Sequence, residues 1–134
     1  MVEWNFDSFG RAIARLEEAS ARYADAPDEF MRDSVTQRFE IVYELGHKTL
    51  RRYLASVAAD PEAVVALTFP ALIRLGDAKG LLREGWPAWR RFREVRAKSS
   101  HTYDEAVALE VLEAVPDLLA EVRVLRDEIA RRRE

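Results

Sequence analysis

Apolar residues along this chain recur at three- and four-residue spacing, which marks one face of a helix. Phe6, Phe9, Ile13, Leu16 and Tyr23 predict a first helix from about Phe6 to Ala24, broken by Asp25-Ala26-Pro27-Asp28. Val35, Phe39, Val42, Thr49, Tyr53 and Val57 line a second, from about Glu29 to Ala59, and Leu45, Leu50 and Leu54 widen its stripe. Gly46 falls on that seam, where a glycine costs about 1 kcal/mol of helix stability and lets another backbone approach. Asp60-Pro61 reads as a stop signal. Thr68-Phe69-Pro70 reads as a helix start with proline in the first turn, Gly80 as its end, and Gly85 as the residue before another helix at Trp86.

The last helix opens after His101. Thr102 followed three residues later by Glu105 fits a capping box. Val111, Val115, Leu118, Val122, Leu125 and Ile129 then alternate spacings of four and three, a bundle seam. Pro116 lies inside it and predicts a kink rather than an end, because the seam continues in register. No strand pattern is present. The expected fold is all-α: an antiparallel four-helix-type bundle with one additional short helix, forming one domain over residues 1–134.

Composition narrows the possibilities. With 134 residues the chain can bury a core without staples, and it has no cysteine, which excludes disulfides and thiolate metal sites. No apolar run is long enough for a membrane span, and Met1-Val2-Glu3-Trp4-Asn5 lacks a secretory pattern, so a cytoplasmic location is the expectation. The net charge of −3 argues against a DNA-coating protein but permits a local basic patch. Arg90, Arg91, Arg93, Arg96 and Lys98 form one against Glu94 alone, and Arg131-Arg132-Arg133 form a second, which reads as a solvated face.

Phosphate-binding glycine loops, dinucleotide fingerprints and His-Glu-x-x-His are all lacking. Only two histidines occur, and the two Glu-x-x-His motifs of a bundle di-metal site are not present, so neither a metal nor a cofactor is expected. His47 sits beside Glu44 and Lys48, which are four apart in the favourable order for a surface ion pair.

Arg96 lies only about 20° round the helix from Trp89, so it points into the apolar stripe. A guanidinium there either makes a structural ion pair or lines a site. Along a continuous helix, Arg96 and His101 would face about 140° apart. Ser99-Ser100 and the Thr102 cap predict a break between them, which lets Arg96, His101 and a helix N-terminus converge on a phosphate. The Trp-rich helix from Trp86 to Lys98 predicts self-association, because one small bundle offers little room to bury it.

The spacing Arg-x4-His-x-Tyr, here Arg96, His101 and Tyr103, resembles the signature of HEPN proteins of the HepT type and of the related nucleotidyltransferase substrate-binding proteins. Gln37-Arg38-Phe39-Glu40-Ile41-Val42-Tyr43-Glu44-Leu45, then Lys48-Thr49-Leu50, is similar to the family's long-helix pattern, with Trp86 upstream of the signature and Ser100-His101-Thr102-Tyr103-Asp104-Glu105 in place. The resemblance runs from about Trp4 to Ile129. It implies a four-to-five-helix bundle, usually a homodimer, encoded with a separate minimal nucleotidyltransferase chain. In toxin–antitoxin versions it implies a metal-independent RNase toxin with arginine and histidine catalytic, silenced by adenylylation of the motif tyrosine, here Tyr103.

For an RNase, His101 would be the general base, Arg96 would stabilise the phosphate, and Arg93 and Lys98 would guide the RNA, with Glu44 and Lys48 supporting. Two positions depart from the pattern. Ala97 stands where many RNase members carry Asn or Asp, and Gly46-His47 where the helix often has Ala-Trp. Ala97 favours the alternative of a non-catalytic nucleotide- or substrate-binding module. The Gly-Ser and paired-Asp arrangement of a transferase is absent, so the chain is not itself a nucleotidyltransferase. A plain structural bundle, with Arg96 and His101 as core polar groups, is the third alternative.

Overall fold

The computed structural model describes residues 6–101 and 104–133. Six helices follow in order: α1 (Phe6–Asp25), α2 (Glu29–Val57), α3 (Pro61–Val65), α4 (Phe69–Ala78), α5 (Trp86–Lys98) and α6 (Glu105–Arg132). No strand occurs among the described residues. The four longer helices α1, α2, α5 and α6 form the bundle. Arg133 lies over the Phe6 ring, so the end of α6 meets the start of α1. Lys98 pairs with Glu110 and Arg91 with Asp117, so α5 and α6 run antiparallel.

The local starts and stops follow from capping chemistry. Asp28 caps α2 by accepting from the Met31 N–H at 2.7 Å. Thr68 caps α4 by accepting from the Ala71 N–H at 3.3 Å. Gly80, at φ 74°, turns the chain out of α4 in a conformation that side chains resist. The seam of α6 runs through Pro116 without ending the helix.

Three expectations need correction. Asp60-Pro61 does stop α2, but it also starts α3: Asp60 caps the Ala63 N–H, and proline fits a first turn, where its missing N–H costs nothing. The close approach at Gly46 is by a ring, not a backbone: a Cβ there would lie 3.1 Å from Trp89 Cη2. Finally, α5 buries its apolar face within the one chain. Trp89 and Phe92 are wholly inaccessible and Val95 nearly so. The stripe that predicted self-association is already covered by α2 and α6.

Two polar anchors set the smaller elements. Arg51 Nη1 donates to the carbonyls of Val64, Val65 and Leu67, satisfying the open end of α3 and fixing where α4 begins. The buried Glu121 carboxylate accepts from the Arg83 and Glu84 N–H groups and from Trp89 Nε1, which ties the α4–α5 loop to α6.

Candidate functional site

The break predicted between Arg96 and His101 is present. Helix α5 ends at Lys98, and Ser99 caps it, its N–H donating to the Arg96 carbonyl at 3.2 Å. His101 sits in the turn, exposed, with its N–H donating to the Lys98 carbonyl at 2.9 Å. The obstacle of a continuous helix is therefore removed.

Arg96 closes α5 and reaches across to α2. Its Nη1 lies 3.0 Å from Glu40 Oε2, and its Nε faces Glu44 Oε1 at 3.7 Å, an ion pair too long to be a hydrogen bond. Ser99 is buried beneath it. The serine hydroxyl accepts from Arg96 Nη1 at 3.3 Å and lies against both the Glu40 carboxylate and the Arg96 carbonyl. With one proton it donates to one of these at a time.

Glu44 continues the chain of contacts, since its Oε2 lies 3.2 Å from His47 Nε2. Burial pushes the His47 pKa below its usual 6.5, while Glu44 pulls the other way. The imidazole stands edge-on to Tyr43, 5.1 Å between ring centres, and to Phe69 at 5.4 Å. Tyr43 has its own pKa raised to about 12, by burial first and by the Glu44 charge second.

The other candidate residues divide. Lys98 is joined to Glu110 at 2.6 Å, so its charge is already answered. Arg93, one turn before Arg96, lies 5.3 Å over the Phe69 ring. Lys48 is not part of the predicted pair, because Glu44 turns its two oxygens to His47 and Arg96 instead. Tyr103 and Thr102 lie outside the described residues.

Asp104 caps α6, accepting from the Ala106 N–H at 2.9 Å, while Thr102 of the expected capping box lies outside the described residues. A carboxylate at that end suits the helix dipole, so this N-terminus already holds an anion where a phosphate was expected. The wider basic patch is also largely neutralised, Arg90 by Glu94 and Arg91 by Asp117. In the tail, Arg131 and Arg132 share Glu128.

Glu40 and Ser99 were missed as site residues. A signal for one existed: Glu40 and Glu44 are like charges four apart on one helix face, an arrangement that repels unless a cation lies between. Arg96 is that cation. Among the described residues no group of three or more histidines and carboxylates is placed to hold a metal ion, and no helix is long and apolar enough to cross a membrane.

Comparison with known proteins places this geometry in a family. The probable ribonuclease HepT of Haemophilus influenzae is 32% identical over 139 residues, covering 97% of this chain and 94% of that protein. A solved Haemophilus influenzae structure, said to reveal the fold of a substrate binding domain of a nucleotidyltransferase, superposes with a TM-score of 0.87 at 26% identity, covering 94% of this chain and 99% of that one. A crystal structure from Thermus thermophilus matches with a TM-score of 0.68 at 28% identity, covering 92% and 97%. The family model for nucleotidyltransferase substrate binding protein like chains matches residues 4–131, and the chain belongs to that family as a HepT-like member.

Proposed function

We propose that this chain is the substrate-binding partner of a minimal nucleotidyltransferase supplied as a separate polypeptide, and that it is a metal-independent ribonuclease silenced by adenylylation of Tyr103. The observation that carries the ribonuclease reading is the placement of Arg96 and His101. Arg96 is held at the end of α5 by Glu40, Glu44 and Ser99, and His101 follows in the turn, outside any helix. A guanidinium fixed in this way is a prepared donor for charge developing on a phosphate.

His101 would take the proton from an RNA 2′-hydroxyl. The freed oxygen would attack the adjacent phosphorus, closing a cyclic phosphate and releasing the 5′-oxygen, which takes a proton from solvent. An adenylate on Tyr103, two residues from His101, would bring a competing phosphate to Arg96. A homodimer with the sites facing each other fits the exposed apolar residues of α2. Phe30, 85% exposed, and Ile41 lie eleven residues apart, about 20° round the helix from one another.

One observation favours a second reading. Ala97 is exposed beside Arg96 and offers no polar group, and Arg96 is already answered by two carboxylates. A non-catalytic module that holds a nucleotide or acceptor for the partner enzyme needs no more than this. Co-expression with a minimal nucleotidyltransferase, followed by intact-mass and peptide mapping, tests the partnership. An adenylate-sized shift lost in Tyr103→Phe supports it. No shift with an active transferase, or a shift that survives the substitution, contradicts it.

A further inference from the structure

The first residue of α4 and the first of α5 bring two large rings together at the surface. Phe69 and Trp86 are half-buried, with ring centres 6.0 Å apart and planes at 62°. Two exposed arginines lie over them: Arg93 5.3 Å from the Phe69 centre and Arg74 5.4 Å from the Trp86 centre. His47 completes the floor against Phe69, and exposed Lys48 flanks it.

The charge pattern separates these arginines from their neighbours. On α5, Arg90, Arg91, Arg96 and Lys98 all sit on carboxylates. Arg74 and Arg93 are instead laid on aromatic faces, and neither forms an ion pair among the described residues. Of the nearby acids, Glu44 is committed to His47 and Arg96, and Asp77 lies under Gly85. A guanidinium over a ring spends none of its N–H donors on that contact, which leaves them for phosphate oxygens, and its planar group can also stack on a base.

Building on the ribonuclease reading above, we propose that Phe69, Trp86, Arg74 and Arg93 form a platform for an unpaired RNA nucleotide next to the cleavage site. Its base stacks on the arginine–aromatic layer, and its phosphates meet the edges of Arg74 and Arg93. Arg93 stands one turn from Arg96 on α5, so the platform and the cleavage site are continuous along one helix. Only an unpaired base exposes a face for such stacking, so the site selects single-stranded over duplex RNA.

The test is fluorescence anisotropy of a labelled short oligouridylate against the His101→Ala protein, which holds RNA without cutting it, across a salt series. Adding Arg74→Gln and Arg93→Gln together should weaken binding about tenfold or more and lower the slope of log affinity against log salt by about 1.4, the value for two phosphate contacts on a single strand. Trp86→Leu should weaken binding at least about fivefold, the lower end for losing one stacked base. Duplex RNA should bind more weakly than the single strand.

Wild-type affinity and slope in both sets of variants overturn the platform, as does failure of the parent protein to bind. Equal binding of duplex and single strand overturns it too, leaving only a charged surface. Cleavage is scored separately on the protein with His101 intact. Cleavage that persists while the arginine variants bind RNA unchanged defeats the platform alone, and binding as predicted without cleavage defeats the ribonuclease reading alone.

Discussion

Arg96 and Glu40 form an ion pair of 3.0 Å that joins the last turn of α5 to the middle of α2. Both groups are partly exposed, so solvent screens the pair, and its contribution to stability is about 1 kcal/mol or less. Its consequence for activity is larger, because it aims the guanidinium. Glu40→Gln should leave the melting temperature within about 5 °C of wild type. The same variant should lower kcat for RNA cleavage about tenfold, with KM little changed, as expected when a group acting on the transition state is misplaced. An unchanged kcat would show that Glu40 does not position Arg96.

The buried Glu121 makes a stability prediction. Glu121→Ala strands the buried Trp89 indole N–H and two part-buried backbone N–H groups. The expected cost is at least about 3 kcal/mol, seen as a lower denaturant midpoint. A loss below about 1 kcal/mol would mean that water replaces the carboxylate without penalty.

Gly46 faces two opposing effects. Alanine there gains about 1 kcal/mol of helix propensity. Its Cβ, however, would meet Trp89 Cη2 at 3.1 Å and Val122 Cγ1 at 3.4 Å. Gly46→Ala should therefore be close to neutral. Gly46→Leu should cost about 1–3 kcal/mol or more, because the wholly buried Trp89 ring has nowhere to go. Urea titration followed by tryptophan fluorescence reads both. A stabilising leucine would refute the packing described here.

His47 predicts a pH dependence. Burial lowers its folded-state pKa below the unfolded value of 6.5. The unfolded chain therefore takes up a proton at a higher pH than the folded chain does. The stability from the neutral, buried ring is present above about pH 6.5 and is lost as pH falls through the depressed folded value. His47→Gln should flatten the stability profile just below pH 6.5. A wild-type slope in that variant would assign the dependence to other groups.

The long helices and most of their ends could be read from the sequence, because periodicity and capping are local. Asp28, Thr68 and Gly80 each mark a boundary that the structure contains. Helix α3 was hidden because Asp-Pro serves equally as a stop and as a start. Thr102 and Asp104 are both suited to capping and lie within one turn, so the local pattern did not single out Asp104 as the cap of α6.

The site was half legible. Arg96 stood out for its place in an apolar stripe, whereas Glu40 lies 59 positions from Ser99, and no local pattern joins them. Glu121 lies on the seam of α6 beside Val122, and its partners are backbone groups of a loop 37 and 38 positions away. Such contacts belong to the tertiary fold and leave no mark on periodicity.

The most direct measurement is RNA cleavage in excess EDTA by the wild-type chain, compared with His101→Ala and Arg96→Ala. The expected result is cleavage without metal by the wild type, none by His101→Ala, and a loss of about 10²-fold or more in Arg96→Ala, the scale of removing one transition-state donor. Undiminished cleavage by His101→Ala, or none by the unmodified wild type, would contradict it.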